Sequence, residues 1–321
     1  MDDVLLNYVM RVTKVAPIPE PSTEYLHNVL VVVPQKSAEI PKTVVKINTE
    51  SDLAAITDAT APMMLKTGGL TSFYALPLAD LNLSAADITG LEDLEVFTIL
   101  IDPQFEDAAL ESLQLPEGYR GVVGGASNND TIVEAQNKIE NHSFFYQKAA
   151  GEGENMYQAF GSLLNSANTI WSSQQYISME NSDDITSYET ADALFTLRAN
   201  FVLTSKEFGN RLAFFCVGGQ NNKAVAIHAP YVSEEIVVKL QGAALTWLNL
   251  NKPDYTTAEA TLLQDYLQGI ADEYTETGQI GEITVTVSVG NSDFVMNADI
   301  TAPLPKATWR LNAVLTQGLK K

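Results

Sequence analysis

Cysteine is nearly missing from this sequence. Cys216 stands alone among 321 residues, so no internal disulfide framework is open to the chain, and the usage fits a reducing compartment. Cys216 lies inside an apolar run and reads as a small core residue. Histidine is almost as scarce: His27, His142 and His228 are scattered, without the spacing of a metal site. No apolar run approaches the roughly 18 residues of a membrane span. The start, Met1-Asp2-Asp3, puts no basic segment ahead of an apolar one, which predicts no secretory leader. Cations are in deficit, with 19 Lys and Arg against 40 Asp and Glu, a net charge of −21. That balance excludes nucleic acid as a partner, because phosphate binding requires clustered cations. Gly121-Val122-Val123-Gly124-Gly125 is followed by no Gly-Lys-Ser/Thr and lacks the dinucleotide spacing. It reads as a tight β-to-α turn needing positive φ. No catalytic residue, metal ligand or cofactor emerges, and the chain reads as a non-enzyme.

What is present is an ordinary globular content, 45% apolar, on a chain long enough for a large core. Asn28 to Val33 is a continuous apolar run, as expected of a strand buried on both faces. Thr43 to Ile47 reads as a second strand, and Thr49-Glu50-Ser51-Asp52 opens a helix through Ile56. Strand signals recur at Val96–Ile101, Tyr119–Val123, Ser143–Tyr146 and Leu212–Val217. Helix signals lie near Ser84, at Glu106–Leu113, Asp130–Glu140, Met156–Leu164, Asp184–Ala199, Ser233–Leu248 and Thr256–Ile270. Asp183-Asp184 reads as the cap of the fifth of these. The alternation predicts an α/β fold, a sheet flanked by helices.

The ends depart from that alternation. Leu6, Tyr8, Met10 and Val12 alternate on one side of an N-terminal strand, and Pro17, Pro19 and Pro21 stiffen the linker after it. At the other end Ile283–Val289 alternates strictly, Gly290–Asp293 reads as a turn, and Phe294–Ile300 forms a return strand. Pro303 and Pro305 then break the pattern before Trp309–Leu315, a last run with one apolar face. The β-rich end thus carries strand-forming arms at both termini. From Pro253 to Pro305 stand nine acids and no Lys or Arg, whereas Lys306, Arg310, Lys320 and Lys321 come after them with no acid. The expected division is an arm and proline-rich linker over 1–22, an α/β body with an outer domain over 23–200, a C-terminal domain over 201–305 and an arm over 306–321.

This order of elements resembles the sheath proteins of contractile phage tails and related injection machines. The arm Asp2–Thr13 precedes a buried strand, Ile47–Ile56 leads into a short acidic helix, and Thr256–Ile270 is followed by Gly278–Gly281, strands and an exposed arm. The resemblance implies a small, minimal sheath subunit: six-membered rings stacked helically around a tail tube protein, between a baseplate and a tail terminator. It implies arms that exchange strands between copies, with Leu6, Tyr8, Met10, Val12, Trp309, Arg310, Leu311, Ala313, Leu315, Lys320 and Lys321 at the inter-subunit contacts. It places the protein in the virion, assembled in the host bacterial cytoplasm, where contraction drives genome delivery. A soluble α/β enzyme using a nucleotide or metal, or another virion protein such as a tube or terminator component, stays open on the residues alone.

Overall fold

The structure, a computed structural model, describes residues 24–80, 96–105, 122–128, 142–146, 153–165, 178–181, 185, 187–205, 209–212, 229–276, 281–290 and 295–301. Its centre is a six-stranded sheet in the order β2-β3-β1-β4-β5-β6, formed by β1 (Val29–Pro34), β2 (Val45–Ile47), β3 (Phe73–Leu78), β4 (Thr98–Ile101), β5 (Val122–Ser127) and β6 (His142–Tyr146). All pairings are parallel except β2 on β3. A parallel sheet needs cover on both faces, and β1 meets that need residue by residue. Val29, Val31 and Val33 enter one core with Leu65, Phe145, Met156 and Phe160. Leu30 and Val32 enter another with Leu76, Ile101, Phe144, Leu194 and Phe201. The expected α/β class and the run of apolar residues at β1 are therefore both met by the structure.

Helices on the first face are α1 (Glu50–Ala54), α2 (Met64–Thr67) and α3 (Glu154–Leu164). Thr49 starts α1 as the sequence predicts: its side chain accepts from the Asp52 N–H, and Asp52 returns bonds to the N–H groups of Asn48 and Thr49 at 3.0 and 2.8 Å. Those backbone bonds hold the Asp52 carboxyl below its ordinary range. The second face carries α4 (Tyr188–Thr196), which begins at Tyr188 and not at the expected Asp184. Its cap is Ser187, whose Oγ accepts from Thr190 N–H at 3.1 Å. Asp183 and Asp184 lie outside the described residues, and so do the expected helices near Ser84, at 106–113 and at 130–140.

Three local features differ from expectation. Phe73–Leu78 is a central strand that its Pro77 conceals in the sequence. Gln35 N–H bonds to Leu78 O at 2.8 Å, so the even-numbered residues of β3 face β1 and Pro77 faces the β2 side. There β2 has already ended, at the pair Val45–Ala75, and the missing N–H leaves no broken ladder. Gly124 and Gly125 lie within β5, not in a β-to-α turn, and neither has positive φ. A Cβ on Gly124 would stand 2.9 Å from both Leu100 Cδ2 and Phe160 Cε2, so glycine is required there by close packing of α3 on the sheet. Lastly, β7 (Val202–Ser205) and β8 (Gly209–Leu212) form an antiparallel hairpin absent from the sequence-based expectations; the expected strand Leu212–Val217 lies, beyond Leu212, outside the described residues. Phe201 and Leu203 pack that hairpin on the second core.

The chain then runs into two long helices, α5 (Ala229–Asn251) and α6 (Thr257–Glu276), and an antiparallel pair, β9 (Thr284–Val289) and β10 (Met296–Thr301). Tyr231 pins the start of α5 to the sheet. Its ring lies 4.9 Å from that of Phe97 and its hydroxyl is hydrogen-bonded to Thr98 Oγ1. Burial pushes the Tyr231 phenol up, out of reach of ionisation near neutral pH. Beyond this pin, α5, α6 and β9 build a third core. Val232, Ile236, Leu240 and Ala244 form one stripe, Ala260, Leu263, Leu267 and Ala271 another, and Ile283, Val285 and Val287 close it. Helical spacings on two elements and period two on the third converge on one apolar interior.

Candidate assembly surface

The β9–β10 hairpin is covered by helices on one side, and two N–H groups on the outer edge of β9 are bonded to glutamines of α6. Thr256 caps α6 in a reciprocal box with Glu259, at 3.3 and 3.4 Å between backbone N–H and side chain. Glu235 and Lys239 of α5 tie to Tyr274 of α6: Lys239 Nζ is 2.9 Å from Glu235 Oε1 and 5.2 Å from the Tyr274 ring centre, and Tyr274 Oη donates to Glu235 at 3.2 Å. Burial comes first in pushing the Tyr274 phenol up to about 12, so it stays a donor to Glu235. The helix pair is thus a fixed platform beneath β9.

On that platform β9 alternates in burial, with Val285 and Val287 inward and Thr284, Thr286 and Ser288 outward. No such alternation is present in β10, where five of six residues are exposed. Its partners in register put Ile300 beside Val285 and Ala298 beside Val287, on the helix-facing side of the hairpin. The helices do not reach that far, and Ile300 is left 36% exposed. Among the described residues the hairpin therefore ends in an uncovered apolar strip, and β10 has no strand partner on its outer edge, a template for β-augmentation. The surface around it is acidic. Asp254, Asp265, Asp272, Glu273, Glu276, Glu282 and Asp299 are all exposed. Outward on α6, Leu262 and Tyr266 are 59% and 42% exposed, one turn apart on a face otherwise polar.

The expected arm residues Leu6, Tyr8, Met10, Val12, Trp309, Arg310, Leu311, Ala313, Leu315, Lys320 and Lys321 lie outside the described residues. The structure does describe the hairpin expected from Ile283–Val289 and Phe294–Ile300, as β9 and β10. Gln264 and Gln268 of α6 are absent from the sequence-based expectations, although their spacing of four puts them on one helix face beside the Leu263–Leu267 stripe; both reach the β9 backbone.

At the carboxyl end of the sheet the polar groups around Asp102 are bonded to one another. In an open parallel sheet, ligands enter at the carboxyl ends of strands where the winding reverses, here between β1 and β4. Asp102, directly after β4, is fully buried: its Oδ2 accepts from Tyr157 Oη at 2.8 Å and its Oδ1 from Gln104 N–H at 3.0 Å. Burial, followed by the Asp102 charge, pushes the Tyr157 phenol well up. Gly153, at φ 94°, brings the start of α3 against Pro103 and closes the point from outside. His27 has a structural task, its Nδ1 lying 2.5 Å from the Leu164 carbonyl at the end of α3. Among the described residues no group of three or more His, Cys, Asp or Glu could hold a metal, and no helix is long and apolar enough to cross a membrane.

No protein-family model matches the chain, and no curated protein does. Solved structures do match. A chain in the cryo-EM structure of the anti-feeding prophage baseplate, symmetrised six-fold, is similar with a TM-score of 0.64 at 11% identity, over 96% of this chain and 98% of that one. The helical sheath of the anti-feeding prophage in its contracted state gives 0.60 at 12% identity, over 96% and 99%. The contracted sheath complex of an extracellular contractile injection system, PVC, gives 0.64 at 8% identity, over 96% and 97%. The likeness spans nearly the whole of each chain and concerns the fold.

Proposed function

We propose that this chain is a structural sheath subunit of a contractile tail or injection apparatus, with no enzymatic role. The observation that carries the reading is the end-to-end likeness to chains from contracted sheath assemblies, matched in length on both sides. A shared core alone would support many functions. Here the likeness covers 96% of the chain and is not confined to the sheet core. In this reading copies form hexameric rings that stack helically around a tail tube protein between a baseplate and a terminator. Arms 1–22 and 306–321 pair with the hairpins of neighbouring copies. A contact of this kind is heterologous and does not close, so it propagates into a helix of subunits. The linkers at 17–21 and 301–306 absorb the rotation of bodies during contraction, which serves delivery of a genome in a phage or of other cargo in an injection system. The outer face of α6, with Leu262 and Tyr266 between acidic rows, is the surface we assign to the tube. Negative-stain electron microscopy of the purified chain is the direct test. Wide hollow helical tubes are expected, and a protein that stays monomeric at every salt and concentration tried would overturn the reading.

The charge pattern supports the same assignment of the tail. The exposed acids of α6 and β10 on one copy face a tail bearing Lys306, Arg310, Lys320 and Lys321 on another. Reversing Arg310, Lys320 and Lys321 to Glu should weaken assembly, and the deficit should be larger at low ionic strength, where the Debye length rises from about 10 Å at 0.1 M to about 30 Å at 0.01 M. Pelleting of tubes across a salt series reads this out. Equal pelleting of wild type and variant at 0.01 M salt would reduce the basic tail to a solubility device.

A further inference from the structure

Along the seam between β9 and α6, one repeat lies on another. Gly290 N–H bonds to Val295 O at 2.8 Å, so 290 and 295 are a hydrogen-bonded pair, and the N–H groups of Val285, Val287 and Val289 point away from β10. On α6, Gln264 Oε1 accepts from Val287 N–H at 3.0 Å and Gln268 Oε1 from Val285 N–H at 2.9 Å. Gln268 Nε2 donates to Ile283 O at 2.8 Å and to Asp272 Oδ1 at 2.7 Å. Four residues of helix rise about 6.0 Å and two residues of strand about 6.7 Å, so one step along the helix row matches one step along the strand. Asp272 continues the row of acceptors by one turn, and Val289 continues the row of donors. Among the described residues neither has a partner across the seam. One turn before Gln264 stands Ala260, which has no group to accept from Val289.

The strand itself also repeats. Ile283, Val285, Val287 and Val289 alternate with Thr284, Thr286 and Ser288. A slip of one residue would turn this strand inside out, whereas a slip of two returns a β-branched aliphatic side chain to every inward place. We propose that the hairpin has two registers on α6, one notch apart, and moves between them as a ratchet. In the second register the hairpin stands two residues nearer the C-terminal end of α6. Val289 N–H then meets Gln264, Val287 N–H meets Gln268 and Val285 N–H meets Asp272, with Gln268 Nε2 on Val285 O. Val289, now 38% exposed, enters the place of Val287, and half-buried Met296 enters that of Ala298. Against this, Ile283 leaves a place where it is 1% exposed, the smaller Val285 takes it over, and Thr275 Oγ1 gives up its bond to Gly281 O at 3.3 Å. One aliphatic side chain and one or two hydrogen bonds stand on each side of the exchange, the near-balance that a bistable element needs. The chain from Glu276 to Ile283 has the length for the move, since seven residue steps reach about 24 Å when extended and the shift is about 6.7 Å. The slip belongs to one subunit and does not depend on the sheath reading; within that reading it gives each hairpin a notch of slack as the bodies rotate.

Methyl relaxation dispersion on the unassembled full chain, labelled at its Ile and Val methyls, tests this on the μs–ms scale. Ile283, Val285, Val287 and Val289 should share one exchange rate and one minor population. Val289→Lys places a charge that is exposed in the present register and would be carried into the third core by the slip, so it should abolish the exchange. Ile283→Val removes a methylene that only the present register buries, and it should raise the minor population several-fold. Flat profiles at all four positions in both wild type and Ile283→Val overturn the proposal. So does exchange that persists in Val289→Lys, which would be fraying of the hairpin end. A slipping subunit that never forms tubes sinks the sheath reading alone, and tubes built from a subunit with a single register sink the ratchet alone.

Discussion

Deleting Trp309–Lys321 should abolish tube formation at concentrations where the intact chain polymerises fully, and leave the subunit folded. The three cores described in the structure are built from residues between Leu26 and Val287. The expected loss is one strand link per subunit. In the proposed strand link, losing the burial of Trp309, Leu311 and Leu315 would cost about 2 kcal/mol each, near 6 kcal/mol per link. At about 1.4 kcal/mol per tenfold, that raises the threshold for polymerisation by roughly four orders of magnitude. Pelleting and electron microscopy should show no tubes, while far-UV circular dichroism and the thermal midpoint stay those of the wild-type subunit. Tubes from the truncated chain would refute tail-mediated linkage. A truncated chain that unfolds would mean the tail completes its own body.

The same physics explains which features of the sequence are readable. A strand buried on both faces has to be apolar throughout, so β1 announces itself in Val29–Val33 without help from its neighbours. Caps are equally local: Thr49 and Thr256 each satisfy an N–H three residues on, and each is followed at that distance by the acid that returns the bond. The C-terminal hairpin follows from period two around Gly290. The strand at Pro77 is not legible, because its tolerance depends on where β2 stops, a fact about another segment. Gly124 misleads for a related reason: the sequence supplies a glycine, and only the approach of Phe160 from α3 says that the need is for space and not for positive φ. Gln264 and Gln268 carry no signal of their own, since a glutamine beside an apolar stripe is ordinary until a strand edge is found above it. Among the described residues, the free β10 edge and the uncovered strip arise where the third core runs out.

Gly161→Ala should destabilise the subunit, against the direction that helix propensity gives. In an unconstrained helix interior the change gains about 1 kcal/mol. Gly161 is constrained: a Cβ there would sit 2.3 Å from the Leu65 carbonyl oxygen and 3.0 Å from Gly68 Cα. The reciprocal position is as tight, since a Cβ on Gly68 would stand 2.5 Å from Gln158 O and 2.6 Å from Ser162 N. Every atom in these contacts is backbone, so no rotamer change relieves them. Either α2 or α3 has to retreat. Neither is free to, because Leu65 is fully buried under the first face of the sheet and Phe160 of α3 packs at 5.8 Å on Phe145. Overpacking of this kind costs about 1–3 kcal/mol and outweighs the propensity gain. Gly269 in α6 is the control. It too is an interior helical glycine, but nothing lies within 4 Å of its would-be Cβ, so Gly269→Ala should stabilise by about 0.5–1 kcal/mol. Chemical denaturation of the two variants beside wild type should therefore give shifts of opposite sign. If both variants are stabilised, the α2–α3 crossing is looser than its geometry implies, and the body lacks the rigidity that the proposed sheath role calls for.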